Sequence, residues 1–170
     1  GFGALPQLIR DNEAEGDIGK TLMKAGMKMA ALVPSTMGTL MSSGIMEGGK
    51  AIGKKGEMGP GELADFLAGF ARGIAHRGKC QLGDRTILDA VDAGARKARQ
   101  ALTEGADMGA MLRRAVEGAK EGVKATEDML PKYGKAAVFS AKAKGVPDQG
   151  AVAGQYFLEG LGRYFLGNLN

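Results

Sequence analysis

The residues best suited to chemistry lie between Asp11 and Thr21, where carboxylates and glycines crowd together ahead of the first long helical pattern. Four acidic side chains fall within seven positions, and they are Asp11, Glu13, Glu15 and Asp17. Such carboxylates repel one another unless solvent or a cation compensates, and hard oxygen ligands suit Mg²⁺ or Ca²⁺. The stretch therefore predicts a metal site. The alternative is a solvated acidic linker that ends in an Asp17 N-cap.

The glycines of the same stretch favour a phosphate beside the metal. Gly16 and Gly19 allow a sharp turn and a close approach to a ligand, and the helix beginning near Gly19 offers N–H groups to an anion. Ala14–Thr21 also fits a relaxed P-loop pattern. A P-loop follows a buried strand, however, whereas polar residues precede this segment, and its carboxylates would face phosphate. Metal-bridged carboxylates are therefore the better chemistry for holding phosphate here.

Composition limits the classes of protein to consider. The 170 residues, 44% hydrophobic and 25% charged, are typical of one ordinary globular domain. The net charge of +4 is spread among acids without aromatic platforms, which argues against nucleic-acid binding. A single cysteine, Cys80, indicates a reducing compartment such as the cytoplasm. No apolar run approaches a membrane span, and no signal peptide is expected at the N-terminus.

Apolar periodicity near 3.6 residues predicts the elements that must position these side chains. The predicted helices cover part of 1–10, then 19–33, 36–52, 63–78, 108–130, 133–144 and 150–165, and a further helix that follows a cap at Asp84 or Thr86 includes Ala98. Pro34 and Pro131 end two of them, and Ser35 or Thr36 caps another. Because no convincing alternation appears and the connections are short, we predict an all-α fold with sequential antiparallel packing.

Two further features have alternative explanations. Glycines at positions 38, 44, 48 and 49 along the 36–52 helix indicate either a functional surface or tight helix packing. In Gly83–Asp89, the backbone of Gly83 and the side chains of Asp84 and Thr86 can face a ligand or cap the next helix. His76 and Cys80 lack partners at catalytic or zinc-ligand spacing, so we predict that both are loop residues without chemistry.

Separated segments resemble motifs of the nucleotide-binding L subunit, or L domain, of the dihydroxyacetone kinase family. The family's Gly-Asp-x-Asp-x-Gly, followed by a Met-rich helix, is similar to Ala14–Gly19 and the helix after it. Its glycine-rich nucleotide helix resembles Ser35–Gly49, and its Lys-Pro-Gly-Asp-Lys-Thr-Met-Leu-Asp-Ala resembles Gln81–Ala90. Its late Lys-Gly-Arg-Ala-Ser and Asp-Pro-Gly-Ala resemble Tyr133–Ala137 and Asp148–Ala151. The matching segments occur in the family's order along nearly the whole chain.

The resemblance implies an eight-helix antiparallel barrel of the DhaL type, formed as a single domain over residues 1–170, that holds ADP or ATP with Mg²⁺. The implied reaction is phosphoryl transfer to dihydroxyacetone (glycerone) or another small ketose held by a separate K subunit. In the phosphotransferase-system variant, a phosphohistidine protein recharges the bound ADP. This chain would then be a kinase subunit, active only with its partners. It needs no catalytic acid or base of its own, since loose phosphoryl transfer depends on positioning and charge neutralisation.

Carried over by position, the resemblance implies that Asp17 is a Mg²⁺ ligand, and we add Glu15 and Asp11 as further metal ligands. The predicted nucleotide-binding residues are Gly19, Thr21, Ser35, Thr36, Gly38, Gly83, Asp84, Thr86, Lys135, Asp148 and Gly150.

The metal loop departs from the family pattern. The family has three aspartates there, whereas only Asp17 is in register here and Glu15 occupies the second place. We therefore predict that residues are missing between Glu15 and Gly16, a join that a Cα–Cα distance near 3.8 Å would refute. If the join is a true peptide bond, a second hypothesis gains weight. The chain would then be a nucleotide-free or regulatory helical protein with a degraded metal loop.

Overall fold

The structure is a computed structural model that describes residues 5–11, 16–133 and 144–167, and all regular elements in these ranges are helices. The α-helices are α1 (Leu5–Asp11), α2 (Ile18–Leu32), α3 (Thr36–Ile52), α4 (Pro60–Gly78), α5 (Ile87–Thr103), α6 (Met108–Ala125) and α7 (Gln149–Gly167). A 3-10 helix, Thr126–Asp128, follows α6 directly. The prediction of an all-α fold is confirmed for the described residues.

Local side chains explain most helix boundaries. The Asp17 carboxylate accepts a hydrogen bond from the Lys20 amide (2.8 Å) at the start of α2, and the Ser35 hydroxyl does the same for the Gly38 amide (3.0 Å) at the start of α3. Helix α2 ends before Pro34, since the residue preceding a proline is disfavoured in a helix. Pro60 begins α4, where its missing N–H has no intrahelical role.

The described helices group into two compact units, residues 1–79 and residues 80–170. In the first unit, α2 packs against α3, and α3 packs against α4. The aromatic side chains of α4 press onto α3 at glycines: a β-carbon on Gly44 would lie 2.7 Å from the Phe70 ring, and one on Gly48 would lie 2.6 Å from the Phe66 ring. Tight helix packing therefore accounts for these two glycines.

In the second unit, α5, α6 and α7 pack against one another around a buried core. Its largest fully buried apolar side chains are Ile87, Met111, Leu112 and Leu158. Helices α5 and α6 approach closely, since a β-carbon on Gly122 would lie only 2.4 Å from the Asp89 carbonyl oxygen. Because α7 starts beside the start of α5, Gly150 lies close to Ile87. This places two helix starts side by side in one unit.

One predicted helix is shorter in the structure. The 108–130 prediction was wrong at its end, because α6 stops at Ala125 and a 3-10 turn follows. The Thr126 hydroxyl donates to the Val123 carbonyl (2.5 Å), so its side chain competes with the helical hydrogen-bond pattern at this point. Of the predicted helix at 133–144, residues 134–143 lie outside the described residues. The eight-helix barrel and the single domain over 1–170 remain predictions.

Candidate functional sites

In the first unit, the start of α2 carries the aspartate that was predicted to bind metal. Asp17 is partly buried, and its Oδ1 caps the helix by accepting from the Lys20 amide. The Thr21 hydroxyl donates to the Asp17 carbonyl (3.0 Å), so this predicted nucleotide residue is buried and bonded to helix backbone. Among the described residues, no second hydrogen bond or ion pair reaches the Asp17 carboxylate. Asp17 therefore acts as the N-cap of α2, and its role as a metal ligand stays a prediction.

Gly19 is a glycine because the end of α3 presses against it. A β-carbon there would lie 2.3 Å from the Gly53 carbonyl oxygen and 2.6 Å from that of Gly49. The Ile18 amide also donates to the Lys55 carbonyl (2.8 Å), which ties the start of α2 to the loop after α3. The sequence analysis did not select Gly53 as a site residue, although its positive φ of 69° marks it as a helix C-cap.

The structure does not bring Gly19 together with Ser35, Thr36 and Gly38. Helix α2 has 15 residues, which at a rise of 1.5 Å per residue separates its ends by roughly 22 Å. Gly19 is at one end, whereas Ser35 begins α3 beyond the other end. Gly38 packs on the connection between the helices, since a β-carbon there would lie 2.5 Å from the Val33 carbonyl oxygen. These residues cannot all contact one phosphate group.

The remaining predicted metal ligands are only partly described. Asp11 is exposed at the end of α1, and its Oδ1 accepts from the Gln7 side chain (2.6 Å). Glu15 and the Glu15–Gly16 join lie outside the described residues, so the prediction of missing residues stays a prediction. Within the described ranges, no group of three or more acidic, histidine or cysteine side chains is arranged to hold a metal. One or two carboxylates are still compatible with Mg²⁺, because phosphate oxygens and water commonly complete its coordination shell.

In the second unit, the start of α5 is capped by its own side chains. Thr86 is the N-cap, and its hydroxyl accepts from the Leu88 amide (3.2 Å). The Asp89 carboxylate accepts from the amides of Gly83 and Thr86, both at 2.7 Å. Gly83 is exposed with a φ of 86°, and nothing lies within 4 Å of the position of its missing β-carbon. The capping alternative therefore holds for Thr86, while Gly83 borders open space.

Asp84 is buried in a polar cluster. It is 1% exposed, and its carboxylate accepts from the Gln81 amide (2.9 Å) and the Tyr133 hydroxyl (3.3 Å) while forming an ion pair with Lys132. The Lys132 ammonium and then the Gln81 amide hold the pKa of Asp84 below its usual value. In turn, Asp84 raises the pKa of Lys132, and partial burial raises the pKa of Tyr133. The Asp84 side chain is thus bonded to neighbouring residues of its own unit.

The Asp84→Asn variant should lose less stability than wild type as the pH becomes acidic. Because the folded-state pKa of Asp84 lies below its ordinary value of 3.8, its carboxylate stabilises the fold above that pH, and this contribution is lost as the pH falls through the folded-state pKa. Thermal denaturation followed by circular dichroism should show a smaller fall in Tm below pH 4 for the variant. If the Tm of the two proteins falls equally with pH, the Asp84 ion pair does not contribute to stability.

The start of α7 adjoins the start of α5. The Asp148 amide donates to the Thr126 hydroxyl (2.9 Å), and the Asp148 carboxylate accepts from the Ala151 amide (2.9 Å) as a helix cap. A β-carbon on Gly150 would lie 3.2 Å from the Ile87 amide nitrogen. The structure therefore brings the predicted residues Thr86, Asp148 and Gly150 to one end of the unit. Sequence reasoning missed Thr126, which lies in no recognisable motif.

Other sequence predictions have simpler outcomes. Lys135 lies outside the described residues. His76 is not a loop residue as predicted, because it lies exposed in the last turn of α4. Cys80 does lie in the connection after α4, where burial raises the pKa of its thiol and so disfavours the reactive thiolate. In the described part of the chain, none of the helices combines the length and apolar character that crossing a bilayer requires.

Comparison with known proteins agrees with the predicted family. A model of the DAK2 domain matches residues 1–163. Over 135 residues the chain is 30% identical to the ADP-binding subunit DhaL of a PEP-dependent dihydroxyacetone kinase 2 from Listeria innocua, which covers 79% of this chain and 62% of the relative. It is 25% identical over 141 residues to an L-erythrulose kinase from Pectobacterium atrosepticum, covering 83% of this chain and 24% of the relative.

A further relative is the ADP-binding subunit DhaL of the PEP-dependent dihydroxyacetone kinase of Escherichia coli, 24% identical over 146 residues, with 86% of this chain and 70% of the relative covered. The chain thus spans less than two thirds of the first two relatives, at 62% and 24% of their lengths. The family match covers all seven described α-helices at least in part. On this basis, the chain belongs to the DAK2 domain family.

Proposed function

We propose that this chain is the ADP- or ATP-binding subunit of a kinase that phosphorylates dihydroxyacetone or another small ketose. The proposal is supported by membership of the DAK2 domain family and by relatives named as ADP-binding subunits and as an erythrulose kinase. The ketose is held by a separate K subunit, and the chain is active only with its partners. The eight-helix barrel, the single domain over 1–170 and the cytoplasmic location are parts of the same proposal.

The observation that carries this proposal is the carboxylate of Asp17. One oxygen caps α2, and no hydrogen bond from a described residue reaches the other, so that oxygen is available to a Mg²⁺ ion. When bound, Mg²⁺ would neutralise phosphate charge and orient the phosphates. Asp17 would contribute one ligand, with Glu15 and Asp11 as further candidates. In the second unit, Gly83, Thr86, Asp148 and Gly150 are candidate nucleotide contacts.

The source of the phosphoryl group is a separate part of the proposal. Two relatives are named as subunits of PEP-dependent kinases, which is consistent with a phosphohistidine protein recharging bound ADP. The isolated chain should show no turnover of ATP and dihydroxyacetone, because in this proposal the separate K subunit holds the ketose. Addition of a K-type subunit and a phosphoryl donor should produce turnover. Robust turnover by the isolated chain would overturn the proposed division of labour.

Calorimetric titration with ADP, with and without Mg²⁺, tests nucleotide binding. Asp17→Asn keeps a good N-cap while removing the charge. It should therefore raise the Kd for ADP about tenfold in the presence of Mg²⁺ and have little effect in its absence. Asp92→Asn is the matched control, since Asp92 lies on α5 and pairs with Arg96 (2.8 Å). Equal loss of affinity in both variants would argue against Asp17 as a ligand.

The second candidate function is a nucleotide-free or regulatory DAK2-type protein. The capping of helix starts favours it, because Asp17, Ser35, Asp89 and Asp148 occupy amides that could otherwise bind phosphate. In that case the wild-type chain would bind no ADP at millimolar concentration with or without Mg²⁺. The same titration therefore distinguishes the two functions.

A further inference from the structure

The loop before α5 carries two neighbouring buried charges, Asp84 and Arg85. They are 1% and 6% exposed, although charged side chains are seldom buried unless they are bonded to partners. Arg85 also adopts a φ of 61°, which is uncommon for a residue with a β-carbon and persists only where surrounding contacts hold it. The partners of these two buried charges therefore show which parts of the chain they contact.

Asp84 contacts the chain segment that follows the 3-10 helix. Its carboxylate pairs with the Lys132 ammonium and accepts from the Tyr133 hydroxyl, and its carbonyl oxygen accepts from the Lys132 amide (3.5 Å). These contacts join residues that are 48 and 49 positions apart in the sequence. The Asp84 carboxylate is buried, whereas the Lys132 side chain is half exposed.

Arg85 contacts the chain segment that precedes α7. Its Nη2 donates to the Val146 carbonyl oxygen (2.6 Å), two residues ahead of the Asp148 cap. The same turn is fixed from the other side, since the Gly145 amide donates to the Glu127 carbonyl (2.9 Å). Asp84 and Arg85, which are adjacent in one loop, thus bond to described residues at both ends of the connection between the 3-10 helix and α7.

We propose that Asp84 and Arg85 are positioning residues that fix the ends of this connection against the start of α5 and so set the affinity of the second unit for nucleotide. This inference rests on the proposed nucleotide-binding function. Asp84 and Arg85 lead directly into the Thr86 cap, and Val146 leads into the Asp148 cap. Breaking the contacts of Asp84 or of Arg85 should therefore displace the two helix starts at which Gly83, Thr86 and Gly150 lie. Asp84 acts through its partners and does not itself contact the nucleotide.

A direct role for Lys132 predicts the opposite sign for one variant. If the Lys132 ammonium binds phosphate, Asp84 competes for it, and removing the Asp84 charge should tighten ADP binding. If Asp84 positions the connection, removing its charge should weaken ADP binding. Asp84→Asn keeps the size of the side chain and leaves a half-exposed lysine without a partner, so the variant is expected to fold.

The experiment is a double-mutant cycle on the whole chain, with ADP and Mg²⁺ in calorimetric titrations. We expect Asp84→Asn and Lys132→Met each to raise the Kd about tenfold, and the double variant to show about the same tenfold rise, because both remove one contact. Lys132→Arg keeps the ion pair and should stay within about threefold of wild type. Asp92→Asn is the control. Tighter binding by Asp84→Asn, or strictly multiplicative losses in the double variant, would overturn the proposal.

A second measurement does not depend on nucleotide. Hydrogen exchange of the Gly145, Asp148 and Ala151 amides reports the hydrogen bonds that fix the turn and the α7 cap. Exchange at these amides should accelerate at least about tenfold in Asp84→Asn and in Arg85→Met, while amides in the middle of α6 keep their wild-type rates. Unchanged exchange at all three amides would overturn the positioning role. If wild-type protein binds no ADP yet exchange accelerates, the proposed function fails while the positioning of the connection stands.

Discussion

Replacing Gly19 by alanine is expected to lower the free energy of unfolding by about 2–3 kcal/mol. The added methyl group would lie 2.3 Å from the Gly53 carbonyl oxygen and 2.6 Å from the Gly49 carbonyl oxygen. Both are backbone atoms, which cannot turn away as a flexible side chain does. Helix α2 must therefore shift relative to the end of α3, which weakens the packing between the two helices at this point. Chemical denaturation followed by circular dichroism measures the effect.

The matched control is the same substitution at Gly160. This glycine lies exposed on α7, and nothing is within 4 Å of the position of its missing β-carbon. Gly160→Ala should therefore raise the free energy of unfolding by about 0.5–1 kcal/mol, because alanine loses less backbone entropy in a helix. If Gly19→Ala folds as stably as wild type and loses only ADP affinity, Gly19 is a nucleotide contact first and a packing residue second.

Thr126→Val is expected to lower the free energy of unfolding by about 1–3 kcal/mol, with little change in side-chain volume. Thr126 is fully buried, and its hydroxyl joins the end of α6 to the start of α7 by donating to the Val123 carbonyl (2.5 Å) and accepting from the Asp148 amide (2.9 Å). The valine side chain can make neither hydrogen bond, so the partly buried Asp148 amide loses this acceptor. Urea denaturation and hydrogen exchange at Asp148 measure the stability and the broken contact together.

Ser42→Ala is the control for a buried hydroxyl without such a role. Ser42 is fully buried in α3, and its Oγ has no hydrogen-bond partner among the described residues. Because an unbonded buried hydroxyl costs free energy and alanine favours a helix, the variant should match wild type or gain up to about 1 kcal/mol. A loss at Ser42 as large as that at Thr126 would mean that burial of a hydroxyl, and not its bonding, decides the outcome.

The sequence by itself determined the helices and most of their boundaries. Capping by Asp17, Ser35 and Thr86 follows from hydrogen bonds between residues within three positions of each other, so local composition suffices to predict it. Apolar periodicity is local in the same sense, and it predicted an all-α chain. The family could also be predicted from the sequence, because its motifs are short segments in a fixed order. The match to the DAK2 domain agrees with that prediction.

Only the tertiary structure decided how the candidate site residues are grouped. Asp84 looked like a ligand contact or a helix cap, yet its partners Lys132 and Tyr133 lie 48 and 49 positions further along the chain. Gly19 and Ser35 were both predicted to bind the nucleotide, but the length of α2 separates them. Such contacts depend on which helix faces pack together, and no local pattern of residues records that choice.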